Sequence, residues 1–320
     1  MSVDARSLHE DVCRVLRDVV PSPEDGDIAL AALWIVQAEL LGLPEFGLRM
    51  LARELDLPGD GIRRDAPAAP TSPIGSIDAS GLPGVVALAA AVRGAQSLVR
   101  QHGLAIIGIR GAGALGVLGT AARAIALDGA VALIAAHSGP FVAPWGATAA
   151  VIGTNPLAVA APRHRLPPLV IDYATSPLTL AAVRELGARG ERLPTGTAVD
   201  VDGLPTTAPS DVAALLPSDL TGSLTGLMVE VIAGVATGGR TDTADRTRGA
   251  IVIAFDPARA GGHDAAGTAV RLSEDWIRAG GHLPGRFDSL PSAPQSLPSS
   301  FDPDPAGLAW LRDRLGSLGS

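Results

Sequence analysis

The side chains that could carry chemistry in this sequence are few and widely spaced. His137 follows an apolar stretch in "AAHSGPF", where a predicted strand meets a loop, a common place for functional groups in α/β proteins. Asp172 in "VIDYATS" could cap the next turn or bind a ligand hydroxyl. Glu45 in "GLPEFGLRM" is, on local evidence, a surface carboxylate. No local Ser-His-Asp pattern, carboxylate pair or metal-spaced His/Cys cluster occurs, so no metal is expected.

A glycine-rich loop offers a second kind of chemistry. Gly111, Gly113 and Gly116 in "GAGALG" formally fit G-x-G-x-x-G between a predicted strand and a predicted helix. Backbone N–H groups at such a turn can bind phosphates. However, no acidic residue follows about twenty positions later at the end of a second strand, as the dinucleotide-binding pattern requires. The loop alone does not predict a Rossmann site.

Composition narrows the possible functions. The chain has 320 residues, 47% of them hydrophobic, and a formal net charge of −8, which predicts a compact protein that does not bind nucleic acid. All 25 basic residues are arginine. Without a lysine amine the chain cannot use Schiff-base chemistry, hold pyridoxal phosphate covalently or form a P-loop.

The sequence also predicts a location. Cys13 is the one cysteine and is expected to be a small core residue, which suits a reducing cytoplasm. The N-terminus is acidic and lacks an apolar stretch before a cleavage site, so we expect no secretory signal. The nearly uncharged stretch 131–162 contains Pro140, Pro144 and Pro156, which favours a folded core over a membrane span.

The elements that must position these groups alternate along the chain. Helices are predicted at 5–19 and 27–42, and residues 65–84 read as a linker. Helices with short apolar strands follow, which favours α/β packing. The predicted later helices are 85–103, 117–129, a buried helix over 221–239, and a last helix over 305–318 that packs on the first ones; the predicted strands are 104–110, 130–136, 151–162, 167–176 and 249–257.

Five motifs in a fixed order resemble one known enzyme family. The stretches "GTNPLAVAAP", "LVIDYATS", "RLPTGTAVDVDGLPTT", "LLP" and "GLMVEVIAG" are similar to the malate/L-lactate dehydrogenase-like family. That family includes ureidoglycolate, sulfolactate and Δ1-piperideine-2-carboxylate oxidoreductases. The similarity extends less tightly from about residue 42 to "LPGRFDS" near 286, and therefore covers most of the chain.

The resemblance implies a fold and an assembly. The fold would be α/β and non-Rossmann, of the L-sulfolactate dehydrogenase-like type, with a helical domain from both termini. The helical domain would comprise 1–75 and 285–320, and the nicotinamide-binding α/β core would comprise 76–284, divisible into two subdomains. The chain would form a homodimer, with its site between domains and near the subunit interface. Family members transfer hydride between NADH or NADPH and a 2-oxo or 2-imino acid, with a histidine handling the proton.

Several positions match parts of the family's site. Ala174, Thr175 and Ser176 in "ATS", together with Gly285 in "PG", fall on stretches that the family places near the dinucleotide. Residues of the implied substrate pocket come from two of the shared motifs and from "TGSLTGLMVE", the stretch that leads into a third. They are Thr154, Asn155, Asp172 and Thr221.

The positions that carry the family's chemistry are replaced. The resemblance places the family's Ser-His pair on Glu45 and Phe46, and its later histidine on Ala114. The acidic partner of that histidine falls on Gly139, and a lysine falls on Thr221. Loss of a general acid or base typically lowers a rate by about 10²- to 10⁴-fold. The four replacements point away from the ancestral mechanism.

Three hypotheses follow. The chain could be a diverged NAD(P)H-dependent reductase of a small 2-oxo- or 2-imino-acid-like metabolite, with Glu45 or His137 handling the proton. It could instead be a cofactor-independent enzyme in which Glu45 is the base and His137 its partner, catalysing an elimination, isomerisation, condensation or hydrolysis. It could also be a non-catalytic dimeric homologue. All three predict a cytoplasmic protein without nucleic-acid or membrane partners, and the first two suit specialised metabolism.

Overall fold

The computed structural model describes residues 2–20, 24–56, 68–240 and 248–318. The helices in these ranges are α1 (Ala5–Val19), α2 (Asp25–Leu40), α3 (Leu48–Leu55), α4 (Gly84–His102), α5 (Leu118–Leu127), α6 (Leu180–Ala188), α7 (Leu220–Val229), α8 (Ala265–Arg278) and α9 (Pro305–Leu318). The strands are β1 (Ile74–Asp78), β2 (Leu104–Ala112), β3 (Val131–Ala136), β4 (Leu157–Arg163), β5 (Leu166–Tyr173), β6 (Ala198–Val199), β7 (Ala214–Leu215) and β8 (Arg248–Phe255).

A mixed six-stranded sheet forms the centre of the molecule. Its order is β1-β2-β8-β3-β4-β5, with β1 and β2 parallel and the other pairs antiparallel. A Rossmann sheet is mostly parallel, so this topology differs although the glycine loop follows a strand and precedes a helix. β5 lies at one edge of the sheet.

Helices cover both faces of the sheet. Ile107 of β2 points at α4, where a Cβ added to Gly94 would lie 3.4 Å from its Cδ1 atom. The next residue, Gly108, faces Thr237 on the opposite side, because successive strand residues point to opposite faces. Thus α4 and α5 cover one face, while α8 and the π-helical turn Glu230–Val235 after α7 cover the other.

The outer helical layer comes from both ends of the chain. The helix α9 packs on α1 and α3, as the sequence predicts for the last helix. Val3 and Phe301 exchange backbone hydrogen bonds of 2.9 and 3.0 Å. The predicted apolar stripe of α1 is buried, and Cys13 lies with it in the core.

One apolar core runs from this helical layer into the sheet. A second, smaller cluster surrounds the β6–β7 pair and includes Val142, Ile152, Val183 and Leu215. The main core is continuous between the helices and the sheet and marks no boundary between them. The predicted domain limits at residues 75 and 285 stay a prediction.

Three predicted elements are wrong in their extent. The segment predicted as a linker contains β1, while residues 65–67 lie outside the described ranges. The strand predicted at 151–162 starts only at Leu157. The helix predicted over 221–239 ends as α7 at Val229 and continues as the π-helical turn, and one side is exposed. The sequence predicts a buried helix here because apolar residues occur on all sides of the segment, a pattern typical of buried helices.

No helix in the described ranges has both the length and the apolarity needed to cross a membrane.

Glu39 connects the two ends of the helical layer. Its buried carboxylate accepts the backbone N–H of Leu48 at the start of α3 (2.8 Å) and that of Asp304 just before α9 (2.9 Å). A Cβ on Gly47 would overlap with Glu39 Oε1, so this approach requires glycine there. Burial is the largest influence on the carboxyl and raises the pKa of Glu39, while the two N–H groups oppose this shift.

Replacing Glu39 by alanine should destabilise the protein. The variant leaves two backbone N–H groups without their acceptor, and a buried unsatisfied donor costs about 1–3 kcal/mol. We expect the free energy of unfolding in urea to fall by at least about 1 kcal/mol. Glu10→Ala, on the exposed side of α1, is the control and should change it by less than about 0.5 kcal/mol. Equal stability of the two variants would contradict this role of Glu39.

Candidate active site

The candidate site lies where β5 ends. Near this end, Asp172 Oδ2 accepts the backbone N–H of Gly119 in the first turn of α5 at 3.0 Å. A helix start favours an anionic group. A Cβ on Gly119 would overlap with Phe287 Cζ and would lie 2.8 Å from Asp172 Oδ2, so this packing also requires glycine. Asp172, α5 and the segment around Phe287 therefore meet at one point.

Asp172 has unusual electrostatics. Burial raises the pKa of its carboxyl to about 6, while the Gly119 N–H and the nearby Arg286 guanidinium partly oppose the shift. The group therefore changes charge close to neutral pH, which is useful for proton transfer.

The turn Pro44–Phe46 borders the same region. A Cβ on Gly116 would lie 3.7 Å from the Phe46 carbonyl oxygen, and Gly116 has a positive φ of 78°. The structure thus places two stretches that the resemblance links to chemistry, residues 45–46 and the glycine loop, side by side.

Glu45 itself is engaged in ion pairs. Its buried carboxylate lies 2.7 Å from Arg53 Nη1 and 3.5 Å from Arg49 Nη1. Arg53 also donates a hydrogen bond to the Glu45 carbonyl at 3.0 Å. A carboxylate that pairs with two guanidinium groups is already committed to contacts within the protein. The interpretation of Glu45 as a surface carboxylate is wrong, because the side chain is buried beside the two arginines. This environment suits an anchor of the turn, and the predicted role of Glu45 as a base stays a prediction.

The "ATS" turn follows β5. Thr175 donates to the Thr154 carbonyl from both its backbone N–H (3.0 Å) and its hydroxyl (3.1 Å). The Ser176 hydroxyl donates to the Leu178 carbonyl at 2.8 Å. These bonds fix the turn that carries Ala174, so the hydroxyls of Thr175 and Ser176 already have acceptors within the protein.

Two other predicted residues lie in exposed places. Gly285 is exposed, and among the described atoms only Asp288 Oδ2 would come within 4 Å of a Cβ there, at 3.9 Å. Thr221 is exposed in the first turn of α7. The predicted ligand-binding roles of both residues stay predictions.

Asn155 is fully buried beneath the turn. Its backbone has a positive φ of 40°, and its amide donates to the Gly226 carbonyl and to Glu230 Oε2, both at 2.9 Å. These bonds tie the turn to the junction of α7 and the π-helical turn. As the side-chain amide is used within the core, the geometry is that of a structural residue.

His137 lies beside Glu230, the residue that also accepts the Asn155 amide. Its Nδ1 atom lies 3.6 Å from Glu230 Oε1, and Glu230 also pairs with Arg240. Burial, the largest influence, lowers the pKa of His137, although Glu230 partly opposes the shift. Cβ atoms on Gly234, Gly239 and Gly249 would each lie within 3.1 Å of the imidazole. Among the described residues its contacts do not include Glu45, so the two predicted catalytic groups are not brought together.

Sequence reasoning missed Glu54, which lies in the last turn of α3. Its Oε1 atom accepts the backbone N–H groups of Gly84 and Ala114, at 2.9 and 3.0 Å. In "LARELDL" a glutamate in an amphipathic helix reads as a solvated charge, and no local signal marks it. In the part of the chain that the structure describes, no three His, Cys, Asp or Glu side chains converge as a metal site.

The fold and the site define a class: α/β proteins with a mixed sheet, a helical layer from both termini and a site beside the sheet's edge strand. The family profile described as malate/L-lactate dehydrogenase matches residues 3–288. This chain therefore belongs to the malate/L-lactate dehydrogenase family, which confirms the resemblance seen in the sequence.

Individual relatives agree with this assignment. The chain is 34% identical over 185 residues to (2R)-3-sulfolactate dehydrogenase (NADP(+)) of Chromohalobacter salexigens, covering 54% of this chain and 56% of that protein. It is 38% identical over 167 residues to the Δ1-pyrroline-2-carboxylate/Δ1-piperideine-2-carboxylate reductase of Pseudomonas putida, covering 51% and 49%. These matches thus span about half the length of the two curated relatives.

A solved structure matches the whole fold. The crystal structure of Δ1-piperideine-2-carboxylate reductase from Pseudomonas syringae pvar. tomato superposes with a TM-score of 0.84 and 28% identity, over 98% of this chain and 99% of that one. The predicted non-Rossmann α/β fold is thereby confirmed.

The Asp172 carboxyl should make stability depend on pH in a defined direction. Its pKa is raised from 3.8 to about 6. The stabilisation that it contributes to the folded state is therefore complete below the pKa of the unfolded chain and is lost as the pH rises through about 6. Asp172→Asn keeps an acceptor for Gly119 but does not titrate. One pKa unit corresponds to about 1.36 kcal/mol. From pH 5 to pH 8 the free energy of unfolding of the variant should therefore rise by about 1 kcal/mol relative to that of the wild type.

Urea unfolding at the two pH values measures this difference. The exposed Asp202→Asn variant is the control and should follow the wild type at both. Parallel behaviour of Asp172→Asn and the wild type would show that the Asp172 carboxyl does not have a raised pKa.

Proposed function

We propose that this chain is a diverged NADH- or NADPH-dependent reductase of a small 2-oxo or 2-imino acid, with a carboxyl in place of the family's histidine for proton transfer. Family membership and the named reductase and dehydrogenase relatives support this reaction class. The observation that carries the proposal is the Asp172 carboxyl beside the glycine loop, because it supplies a group that titrates near neutrality in the family's site region.

The residues around Asp172 fit a bound dinucleotide. A Cβ on Gly116 would meet its nearest neighbours at 3.7 Å and one on Gly285 at 3.9 Å, so neither backbone is tightly covered by other residues. Arg286 follows Gly285 and is close enough to influence the Asp172 carboxyl. Its guanidinium could bind a phosphate or a substrate carboxylate. The nicotinamide supplies hydride when it is bound.

Asp172 is the better-supported proton donor of the three candidates. Its raised pKa keeps a protonated fraction near neutral pH, as a general acid requires. Glu45 is ion-paired with two arginines, and His137 is enclosed by glycine backbone. In the proposed reaction Asp172 releases a proton to the oxygen or nitrogen of the substrate as the adjacent carbon is reduced, and Arg286 orients the substrate or cofactor anion.

Cofactor binding and turnover test the proposal. Calorimetric titration of nucleotide-free protein with NADH and NADPH should reveal micromolar binding of at least one. With 2-oxo acids and cyclic 2-imino acids as substrates, Asp172→Asn should retain that binding but lose about 10²- to 10⁴-fold in rate. Glu45→Gln and His137→Gln are the comparison variants, and a selective loss in either would favour the proton donors predicted from sequence.

No binding at millimolar NADH or NADPH would overturn the reductase. A metabolite conversion without nicotinamide would then favour the cofactor-independent enzyme. Stable dimers without any conversion would favour a non-catalytic homologue.

We also propose that the chain is a homodimer that pairs through one face of α7 and the π-helical turn. Apolar side chains recur there at spacings of three and four residues, and each is about half exposed or more. They are Leu220, Leu224, Leu227, Met228, Val231 and Val235. A continuous exposed apolar stripe is typical of an interaction surface. As Gly222 of α7 packs against the Thr175 carbonyl, a partner on this stripe would lie near the candidate site.

A charge in the stripe should separate the subunits. Leu224 is 55% exposed, so Leu224→Glu leaves the monomer core intact but buries a carboxylate in the proposed interface. Light scattering after size exclusion should give a dimeric mass for the wild type and a monomeric mass for the variant. Leu127→Glu, at the end of α5 and 45% exposed, is the matched control and should stay dimeric. A monomeric wild type, or a dimeric Leu224→Glu protein, would contradict the proposed interface.

A further inference from the structure

The carboxyl of Glu54 joins three segments. It projects from α3, and its Oε1 atom accepts the backbone N–H of Gly84, which begins α4, and that of Ala114 in the glycine loop. The second oxygen, Oε2, is buried and has no hydrogen-bond partner among the described residues. One side-chain oxygen therefore connects α3, α4 and the loop.

Two glycines allow the backbone to approach the Glu54 carboxyl closely. A Cβ on Gly113 would overlap with Glu54 Oε1. One on Gly84 would lie 2.5 Å from the carbonyl carbon and oxygen of Gly113. Both glycines are needed because the loop, the start of α4 and the carboxyl are in direct contact. The Glu54 carboxyl, the start of α4 and the loop therefore pack with no space for a Cβ between them.

The same loop leads directly into the candidate site. Gly116, which lies beside the Phe46 carbonyl, and Gly119, whose N–H binds Asp172, follow Ala114 within a single short segment. A short segment that is fixed at one end transmits a shift to the other. The position of Ala114 therefore affects the position of the Gly119 N–H.

We propose that Glu54 is a positioning residue of the candidate site: it holds Ala114 against α4 and thereby sets where Gly119 presents its N–H to Asp172. Its effect on the structure of the loop is independent of the reaction, whereas its effect on turnover rests on the proposed reductase function. Glu54 acts through the loop and is not assigned contact with substrate.

The ionisation of Glu54 gives this connection a measurable signature. Burial raises the pKa of Glu54 to about 7, although the N–H groups of Gly84 and Ala114 and the Arg248 guanidinium oppose the shift. Arg248 is the first residue of β8, and its own pKa is influenced by the charges of Glu54 and Arg53. Above the pKa the carboxyl becomes an anion, a stronger acceptor for its two N–H donors, so the loop should respond as this charge appears.

Nuclear magnetic resonance of the amides tests the structural part without any ligand. Asp172→Asn serves as the background, because the Asp172 carboxyl itself titrates beside the Gly119 N–H near pH 6. In this background the Ala114 and Gly119 amide shifts should both show an inflection near pH 7. Glu54→Gln retains an acceptor oxygen and cannot ionise, so it should keep both amides protected but lose that inflection. Glu10→Gln, on the exposed side of α1, is the matched control in the same background and should leave the inflection near pH 7 unchanged.

A second variant tests the hydrogen bonds themselves. Glu54→Leu removes the acceptor of both N–H groups, and hydrogen exchange at Gly119 should accelerate on the order of tenfold or more through local opening. Under the reductase proposal, Glu54→Gln should restore most of the kcat lost in Glu54→Leu, with a smaller change in KM for the substrate.

The outcomes separate the two proposals. An inflection near pH 7 at Gly119 that persists when Glu54→Gln is added to Asp172→Asn, or its absence in Asp172→Asn alone, would overturn the positioning role even if Glu54→Leu does not fold. Loss of the inflection in Glu54→Gln, combined with no nicotinamide binding by the wild type, would support the positioning role and overturn only the reductase.

Discussion

The structure depends on carboxyl groups, largely removed from solvent, that accept backbone N–H groups at the starts of helices. Three consecutive helices, α3, α4 and α5, are held in this way by side chains from other elements. The pairs are Glu39 with Leu48, Glu54 with Gly84, and Asp172 with Gly119. The first turn of a helix has N–H groups without intrahelical acceptors, so each carboxyl fixes the direction of a helix as well as its start. Nearby glycines let the oxygen approach closely, as at Gly47 and Gly113.

These contacts explain how a family frame can persist after its reactive groups are replaced. The helix starts, the "ATS" turn and the Asn155 contacts combine backbone groups and glycines with the side chains of Glu39, Glu54, Asp172, Thr175 and Asn155. None of these hydrogen bonds uses the side chains at residues 46, 114, 139 or 221. Changing those four positions leaves the supports in place. Chemistry can then pass to a carboxyl already present for structural reasons, provided that burial has brought its pKa towards neutrality.

The sequence predicts the fold better than the site. The apolar spacing in α1 and the last helix could be recognised because helical periodicity is local, and ordered motifs identified the family. The sequence does not predict β1, because the alternation of apolar and polar residues there is weak and Ile74 is exposed. At the site, Asp172 was found through its motif. The arginine contacts of Glu45 and the burial of Glu54 depend on distant elements, which no spacing along the chain reveals.

The carboxyls at the three helix starts also reverse a familiar relation between folding and acid. Carboxyl groups in most native proteins bind protons less readily than in the unfolded chain, and acid therefore denatures. Here burial raises the pKa of Glu39, Glu54 and Asp172 alike. Near neutral pH the folded chain consequently holds protons, at Glu54 and Asp172 above all, that the unfolded chain releases. Unfolding then transfers protons to the surrounding buffer, and the heat absorbed in a calorimeter will include the buffer's own enthalpy of ionisation.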